Sequence, residues 1–354
     1  MNQIARISCA FALALAGPLP VAAQQSQDLG NFIQQTITLH PAIRAAETAI
    51  AKARANRQAA GKYDLIETEL IERLLLALGE NRKQMERLRL AEKRLSLSDR
   101  FLQLVRRSAA AGDVGQNDVL SAEINKSNAE LLIFTARADV AEAQRELIAL
   151  VGEKRSFWPT LPDVQRLSNN EFRPELSRTP EQRLALASLK ISKAGIVVAD
   201  RERLPDPTIG FRVGEEGETR LYGLSLSVPI PVWNNGVAEK LAASQEAAGR
   251  EFLVADTHRR IRARLITAEE SFNAALSAVG QWRSRTAPAA RKQEQLINRL
   301  AESREISALE YVQQLKQLID TEALGIDHEA TLWRSWVTQL RAGANLNVWL
   351  EDLR

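Results

Sequence analysis

Most of the chain repeats apolar residues at the three- and four-residue spacing of an amphipathic helix. Helices are predicted from Asp28 to Leu39, from Pro41 to Ala60, from Asp64 to Arg107, from Asn117 to Val151 and from Ala308 to Ala342. Helices this long are typical of coiled-coil assemblies, because compact domains rarely accommodate them.

Another helix is predicted to begin at Thr179-Pro180-Glu181-Gln182, which offers an N-cap, a proline at the first helical position and a capping-box glutamine. It should run to Arg203 and stop at Leu204-Pro205-Asp206-Pro207, because each proline removes a backbone donor. Helical spacing returns from Glu239 to about Ala301.

Between these helices the period changes from helical spacing to alternation, which predicts a β-hairpin over about residues 207–230. One face of the hairpin is apolar and the other carries small or polar residues, the pattern of a membrane strand of about 9 to 11 residues. Because an isolated hairpin is marginal in water and no other strands are predicted, partners from other subunits should complete it. The apolar membrane-strand residues are Ile209, Phe211, Val213, Tyr222, Leu224, Leu226 and Val228.

The N-terminus has the anatomy of a secretory signal peptide, residues 1–23. Arg6 precedes an apolar run, Gly17, Pro18 and Pro20 follow it, and cleavage is expected after Ala23. Cys9 is the only cysteine and lies at the front of that run, so neither lipidation nor a disulfide is expected. Beyond this segment no window of 18 apolar residues could form a membrane helix.

Composition and motifs argue against several function classes. The 47 basic and 44 acidic residues are interspersed, which does not suggest a nucleic-acid partner. His40, His258 and His328 lack ligand spacing, so no metal site is expected, and His40 is interpreted as a helix-boundary residue. Since no phosphate loop or nucleophile elbow is present, no catalytic residues, cofactor or enzyme activity are predicted.

The two halves of the chain resemble one another. Pro41 to Ala60 aligns with Pro180 to Ala199, and the segment from Leu104 to Asp118 aligns with that from Leu296 to Glu310. This repeat predicts a duplicated unit with a first helical repeat at 24–151, a linker at 152–178 and a second repeat at 179–354. Each unit ends in a helix, a tight turn and a returning helix.

These turns resemble the helix-hairpin tips of TolC-like outer-membrane factors, in which a glycine, a branched apolar residue and an acidic helix-opening residue recur. The duplicated order matches that family, and the segment from Val228 to Gly236 resembles its strand boundaries, especially in the heavy-metal cation branch. Arg304 stands where the family usually has glycine, which leaves the conformation of the second turn open.

The resemblance implies a mainly α fold of long antiparallel coiled-coil helical hairpins in two repeats, with the β-hairpin contributing to an oligomeric transmembrane β-barrel. It further implies a homotrimeric outer-membrane and periplasmic channel that passively exports metal cations or organic compounds, coupled to a periplasmic adaptor and an inner-membrane pump. The implied docking tips are Gly112, Asp113, Val114, Gly115, Asp118, Glu305, Ile306, Ser307 and Glu310. The same residues also fit ordinary turn and capping chemistry.

One departure from the family concerns its four strands per subunit. The second unit carries the hairpin within Pro205 to Arg259, whereas the first passes directly from Ala60-Gly61-Lys62 to Tyr63-Asp64. A trimer would therefore have half the usual strands, and its barrel would be narrow or open. The alternatives are a defective family member or a non-channel periplasmic coiled-coil adaptor or scaffold.

Overall fold

The computed structural model describes residues 21–52, 57–164, 174–204, 206–217, 219–228 and 236–352. The predicted signal peptide, including Cys9, lies almost entirely outside these residues. So do Pro205 and most of the predicted strand-boundary segment that follows Val228.

Two helical segments and a long helical hairpin form the first half of the chain. The helices are α1 (Val21–Leu39), α2 (Pro41–Lys52), α3 (Arg57–Ala110) and α4 (Gln116–Val151). The predicted helix from Asp28 thus begins earlier. Of the predicted helix from Pro41 to Ala60, residues 41–52 lie in α2, 57–60 lie in α3, and 53–56 are outside the described residues. The Ala60–Lys62 junction lies inside α3, so the first half passes through it as helix.

The second half contains the same hairpin plus a strand insertion. After a 3₁₀ turn (Leu176–Arg178) come α5 (Pro180–Arg201), β1 (Thr208–Glu216) and β2 (Thr219–Ser227). A long helix follows as α6 (Val237–Gln281), a π-helical turn (Trp282–Thr286) and α7 (Ala287–Glu302). The remaining helices are α8 (Ala308–Ala342), as predicted, and α9 (Leu346–Asp352), which the sequence pattern did not predict.

The start of α5 differs from the capping prediction. Pro180 does occupy the first turn, but the Thr179 hydroxyl donates to the Leu176 carbonyl at 2.8 Å and caps no helical N–H. Gln182 is buried and forms no capping box with Thr179. The proline alone therefore sets this helix start, because its fixed φ suits the first helical position.

Long helices pack along one another around α3. Helix α3 contacts α2, α4, α5 and α8, while α8 also contacts α6 and α7. The main core joins α1, the first part of α3, the last part of α8 and α9, with Leu74, Leu75 and Val337 fully buried. A second core lies near the two turns and includes Phe101, Tyr311 and Leu315.

The π-helical turn shifts the buried stripe of the long helix by one residue. In α6 the buried positions alternate by four and three residues through Phe272, Ala275 and Val279. Continued alternation would bury 289 and 296, but the buried residues of α7 are Ala290 and Ile297. The wider turn therefore absorbs one extra residue without breaking the helix.

Two tryptophan rings pack directly against glycines of neighbouring helices in the bundle. A Cβ on Gly79 would lie 2.3 Å from the Trp333 ring, and a Cβ on Gly325 would lie 2.1 Å from the Trp282 ring. The Trp333 indole N–H also donates to the Leu75 carbonyl at 2.8 Å. Only glycine allows α3 and α8 to approach these rings so closely.

The chain exposes much more surface than a compact protein of its size. Its accessible area is 23592 Å², whereas a compact 39.3 kDa monomer would expose about 14,000 Å². None of the helices in the described part of the chain is long and apolar enough to cross a membrane. Extended helices with large exposed faces are therefore the main feature of the fold.

Candidate functional site

The turn between α3 and α4 forms the first predicted tip. Gly112 has φ of 82°, and the Asp113 N–H donates to the Ser108 carbonyl at 3.0 Å, which closes the end of α3. Gly115 precedes α4, and its N–H donates to the Asp118 carboxylate at 3.2 Å. These residues are joined in one compact turn that presents Val114 between them.

The turn between α7 and α8 repeats this geometry. Arg304 has φ of 62°, and the Glu305 N–H donates to the Leu300 carbonyl at 2.9 Å. Ser307 and Glu310 form a reciprocal capping box at the start of α8. Arg304 thus adopts the left-handed conformation of Gly112, although an L side chain is disfavoured there.

The structure brings the two turns together. The Arg304 guanidinium forms an ion pair with the Asp113 carboxylate of the other turn. Between the turns lies a groove of about 420 Å³, with Val105 and Ala301 among its apolar lining. The groove is also lined by Asp113, Val114, Asp118, Arg304, Glu305, Ile306 and Ser307, and all but Arg304 belong to the predicted tips.

A buried stack of two aromatic rings, one from α3 and one from α8, lies next to the two turns. The rings of Phe101 and Tyr311 lie 3.8 Å apart at their centroids and 11° from parallel. Burial raises the pKa of the Tyr311 hydroxyl to about 12. Sequence reasoning did not select this pair, since an aromatic at helical spacing fits any apolar face.

Ion pairs join α3 to α7 and α8 along the helices that lead to the two turns. Lys93 contacts Glu294 at 2.8 Å and Glu322 at 2.7 Å. Burial alone would lower the pKa of Lys93, but its hydrogen bonds to both glutamates outweigh burial and raise it. The two repeats are therefore connected by charge as well as by apolar packing.

The β-hairpin is the second predicted site, and its apolar residues share one face. The antiparallel register pairs Ile209 with Leu226, and Phe211 with Leu224. Val213 pairs with Tyr222, and the seven predicted residues, Val228 included, are all exposed. Leu224 is 80% exposed, so nothing in the described chain covers this apolar face.

The tips and the hairpin are connected by a single long helical path. The helix from α6 through α7 begins just after the hairpin and ends at the second turn, covering residues 237–302. At 1.5 Å per residue this path spans on the order of 100 Å. Among the described residues, no group of three or more His, Cys, Asp or Glu could hold a metal ion.

His40 lies between α1 and α2, and its ring nitrogen accepts a hydrogen bond from the Ala42 N–H at 3.2 Å. His40 is therefore a helix-boundary residue, as predicted.

Helical hairpins in two repeats with a strand insertion define this chain as having the fold of TolC-like outer-membrane factor channels. A structure of CusC, described in terms of folding and transmembrane channel formation, superimposes with a TM-score of 0.78 over 90% of this chain and 92% of that chain, at 12% identity. The outer-membrane channel OprN matches with a TM-score of 0.67 over 92% of each chain, at 16% identity.

A sequence relative supports the heavy-metal branch in particular. The cobalt-zinc-cadmium resistance protein CzcC of Cupriavidus metallidurans is 25% identical over 171 residues, 46% of this chain. The match spans 40% of that relative's length. No protein-family profile matches this chain.

Proposed function

We propose that the chain is the outer-membrane subunit of a tripartite efflux system and forms a passive export duct. The observation that carries this proposal is the placement of two matching turns and one apolar-faced hairpin at opposite ends of a helix on the order of 100 Å long. One end suits a membrane, and the other presents paired turns to a periplasmic partner.

The uncovered helix faces support assembly into a homotrimer. Helix α4 exposes Leu120, Ile124, Leu131 and Phe134, the last at 66%. It also carries six acidic and three basic residues, whereas four arginines lie within residues 259–264 of α6. Packing α4 of one copy against α6 of the next would bury apolar residues and join opposite charges, which gives a closed ring.

The groove between the turns supports docking of a periplasmic adaptor. Its apolar residues Val114 and Ile306 are flanked by Asp118 and Glu305, while Asp113 is neutralised by Arg304. This surface suits a helical hairpin with apolar and basic residues at its end. An inner-membrane pump would supply cargo through that adaptor, and the duct itself would need no cofactor.

The proposed function is tested by exporting the chain in a Gram-negative host and fractionating the membranes. We expect a detergent-resistant trimer in the outer membrane that conducts ions in a planar bilayer. A soluble monomer without conductance would instead support a periplasmic coiled-coil scaffold and contradict the channel.

Docking is tested separately with a photo-crosslinking residue at Val114 or Ile306 and a purified adaptor of a metal-cation efflux system. Cross-links are expected from both positions. The matched control is Leu131, which is 61% exposed on the middle of α4 and, lying in the proposed contact between copies, should give no cross-link to the adaptor. Equal cross-linking from all three positions would contradict docking at the turns.

A further inference from the structure

The second face of the β-hairpin carries mostly glycine, serine and threonine, with Arg212, Glu216 and Leu221 as its large residues. Cross-strand pairs on this face join Gly210 with Ser225 and Arg212 with Gly223, next to Thr208 paired with Ser227. A Cβ on Gly210 would lie 2.6 Å from the Ser225 hydroxyl, which itself donates to the Gly210 carbonyl at 3.3 Å. Small residues therefore leave open space above this face.

Arg212 is the one basic residue on that face among the described strand residues, and the other large residues, Leu221 and Glu216, lie nearer the turn of the hairpin. Arg212 is the fifth of nine residues in β1 and lies between Gly210 and Gly214 along the strand. Its Cβ would be 3.9 Å from a Cβ built on Gly223, so both residues point to the same side. The arginine thus projects from the middle of the strand between glycines, with Leu221 diagonally opposite on β2.

The charges near Arg212 do not neutralise it. Glu215 pairs with Arg220 at 3.2 Å, but both residues belong to the apolar face by strand alternation. Within the described part of the chain no carboxylate forms an ion pair with Arg212. The next acidic position on the same face is Glu216 at the end of β1, about 13 Å away at 3.3 Å per residue.

Resting on the proposed function, we propose that Arg212 lines the lumen of the membrane pore and selects for anionic cargo. A membrane strand turns its apolar face to lipid and its small or polar face to the lumen. Each copy then contributes one guanidinium at the same height, which forms a positive belt. Rings of arginine favour anions in pores, and low-dielectric walls strengthen their field.

A small number of strands per copy would bring the Arg212 side chains of the positive belt close together. The junction of the first repeat that matches the hairpin position lies inside helix α3, so among the described residues the first repeat has no hairpin there. With two strands per copy the barrel is narrow, since diameter grows with strand number. Guanidinium groups would then lie near the pore axis, where they repel free divalent cations and stabilise small anions or anionic complexes.

The test measures ion selectivity of the purified oligomer in a planar bilayer under a KCl gradient. We expect chloride to permeate about three times more readily than potassium, or better. Arg212→Gln should bring the permeability ratio close to one, and Arg212→Glu should invert it. Arg220→Gln removes the same charge from the opposite face of the hairpin and should leave selectivity unchanged.

Thiol labelling at position 212 excludes misfolding of a variant as the cause of a change in ion selectivity. Cys9, in the predicted signal peptide, is the only cysteine, so Arg212→Cys would give the mature chain a single thiol. Labelling the open channel with a cationic methanethiosulfonate should restore anion preference, and an anionic reagent should produce cation preference.

The outcomes separate this proposal from the proposed function. A conducting oligomer that is cation-selective, or whose selectivity ignores every change at Arg212, overturns the Arg212 proposal and leaves the channel intact. A chain that never conducts overturns both. Selectivity that follows the charge at position 212, but not at 220, supports the proposal.

Discussion

Arg304 lies in the left-handed backbone region, and its guanidinium pairs with Asp113 of the neighbouring turn. The side chain that makes this turn unfavourable is also the side chain that connects the two turns. The equivalent position in the first repeat is Gly112, which adopts the same conformation without steric cost.

The backbone cost of Arg304 can be isolated by comparing Arg304→Gly with Arg304→Ala. Both variants lose the ion pair, but only glycine relieves the left-handed conformation, so it should be the more stable by about 1 kcal/mol. Thermal unfolding of the detergent-solubilised protein measures the difference. Gly112→Ala serves as the reciprocal control and should destabilise by a similar amount, whereas equal midpoints for both Arg304 variants would exclude a left-handed turn.

Glycine to alanine changes in the helices should have opposite signs at different positions. Gly325→Ala would force its new methyl into the Trp282 ring, and we expect a loss of about 1–3 kcal/mol from overpacking. Gly249→Ala in α6 meets nothing within 4 Å and should stabilise by about 0.5–1 kcal/mol through helix propensity. Comparable destabilisation at both positions would contradict the close contact between Gly325 and the Trp282 ring.

Acid should weaken a buried ion pair that joins the start of α5 to the end of α8. Arg341 contacts Glu181 at 2.8 Å, and its side chain is only 7% exposed. Burial alone would raise the pKa of Glu181, but its hydrogen bond to Arg341 and the arginine charge outweigh burial and lower it. Because the folded pKa is the lower one, this stabilisation is present at neutral pH and is lost as pH falls through it.

Glu72 also contacts Arg341, at 3.5 Å. Because that contact remains, Glu181→Gln should destabilise the protein by about 2 kcal/mol at neutral pH. Its thermal midpoint should also fall less steeply than that of the wild type below about pH 4.5. Glu142→Gln is the control, because Glu142 pairs with Arg145 on the exposed surface and contributes little. An unchanged acid profile in Glu181→Gln would show that the buried pair is not the acid-sensitive group.

Ionisation of Tyr311 reports on the packing behind the turns. Ultraviolet titration should show one tyrosine with a pKa of about 12. Phe101→Ala opens a cavity beside the ring and admits water, which should lower that pKa and destabilise the protein by about 3 kcal/mol. A tyrosine that already titrates normally in the wild type would contradict the buried stack.

Periodicity was sufficient to predict the long elements. Helix α8 occupies the predicted residues, and the alternation predicted the hairpin and its shared apolar face, whereas the cross-strand pairs come from the structure. Those patterns are repeated over many residues, so each additional residue supports the same prediction. The two tips were found by comparing the repeats, and the structure places them side by side.

Features that depend on one residue or on distant packing were not predictable in this way. The π-helical turn changes the stripe by a single position, which a helical pattern tolerates without visible interruption. The conformation of Arg304 and the Asp113 pair depend on contacts 191 residues apart in sequence. Likewise, a glycine in a helix gives no sign of which tryptophan ring will fill the space above it.

The π-helical turn also determines the direction in which the second tip faces. One residue of an α-helix corresponds to a rotation of about 100°, and the π-helical turn accommodates one extra residue, so the same number of residues wound as ordinary α-helix would turn α7 and everything attached to its end by that angle. Arg304 would then point away from Asp113, and the two turns would no longer share a groove. The angular alignment of the proposed docking surface thus depends on one wide helical turn more than fifteen residues away, and not on the surface residues alone.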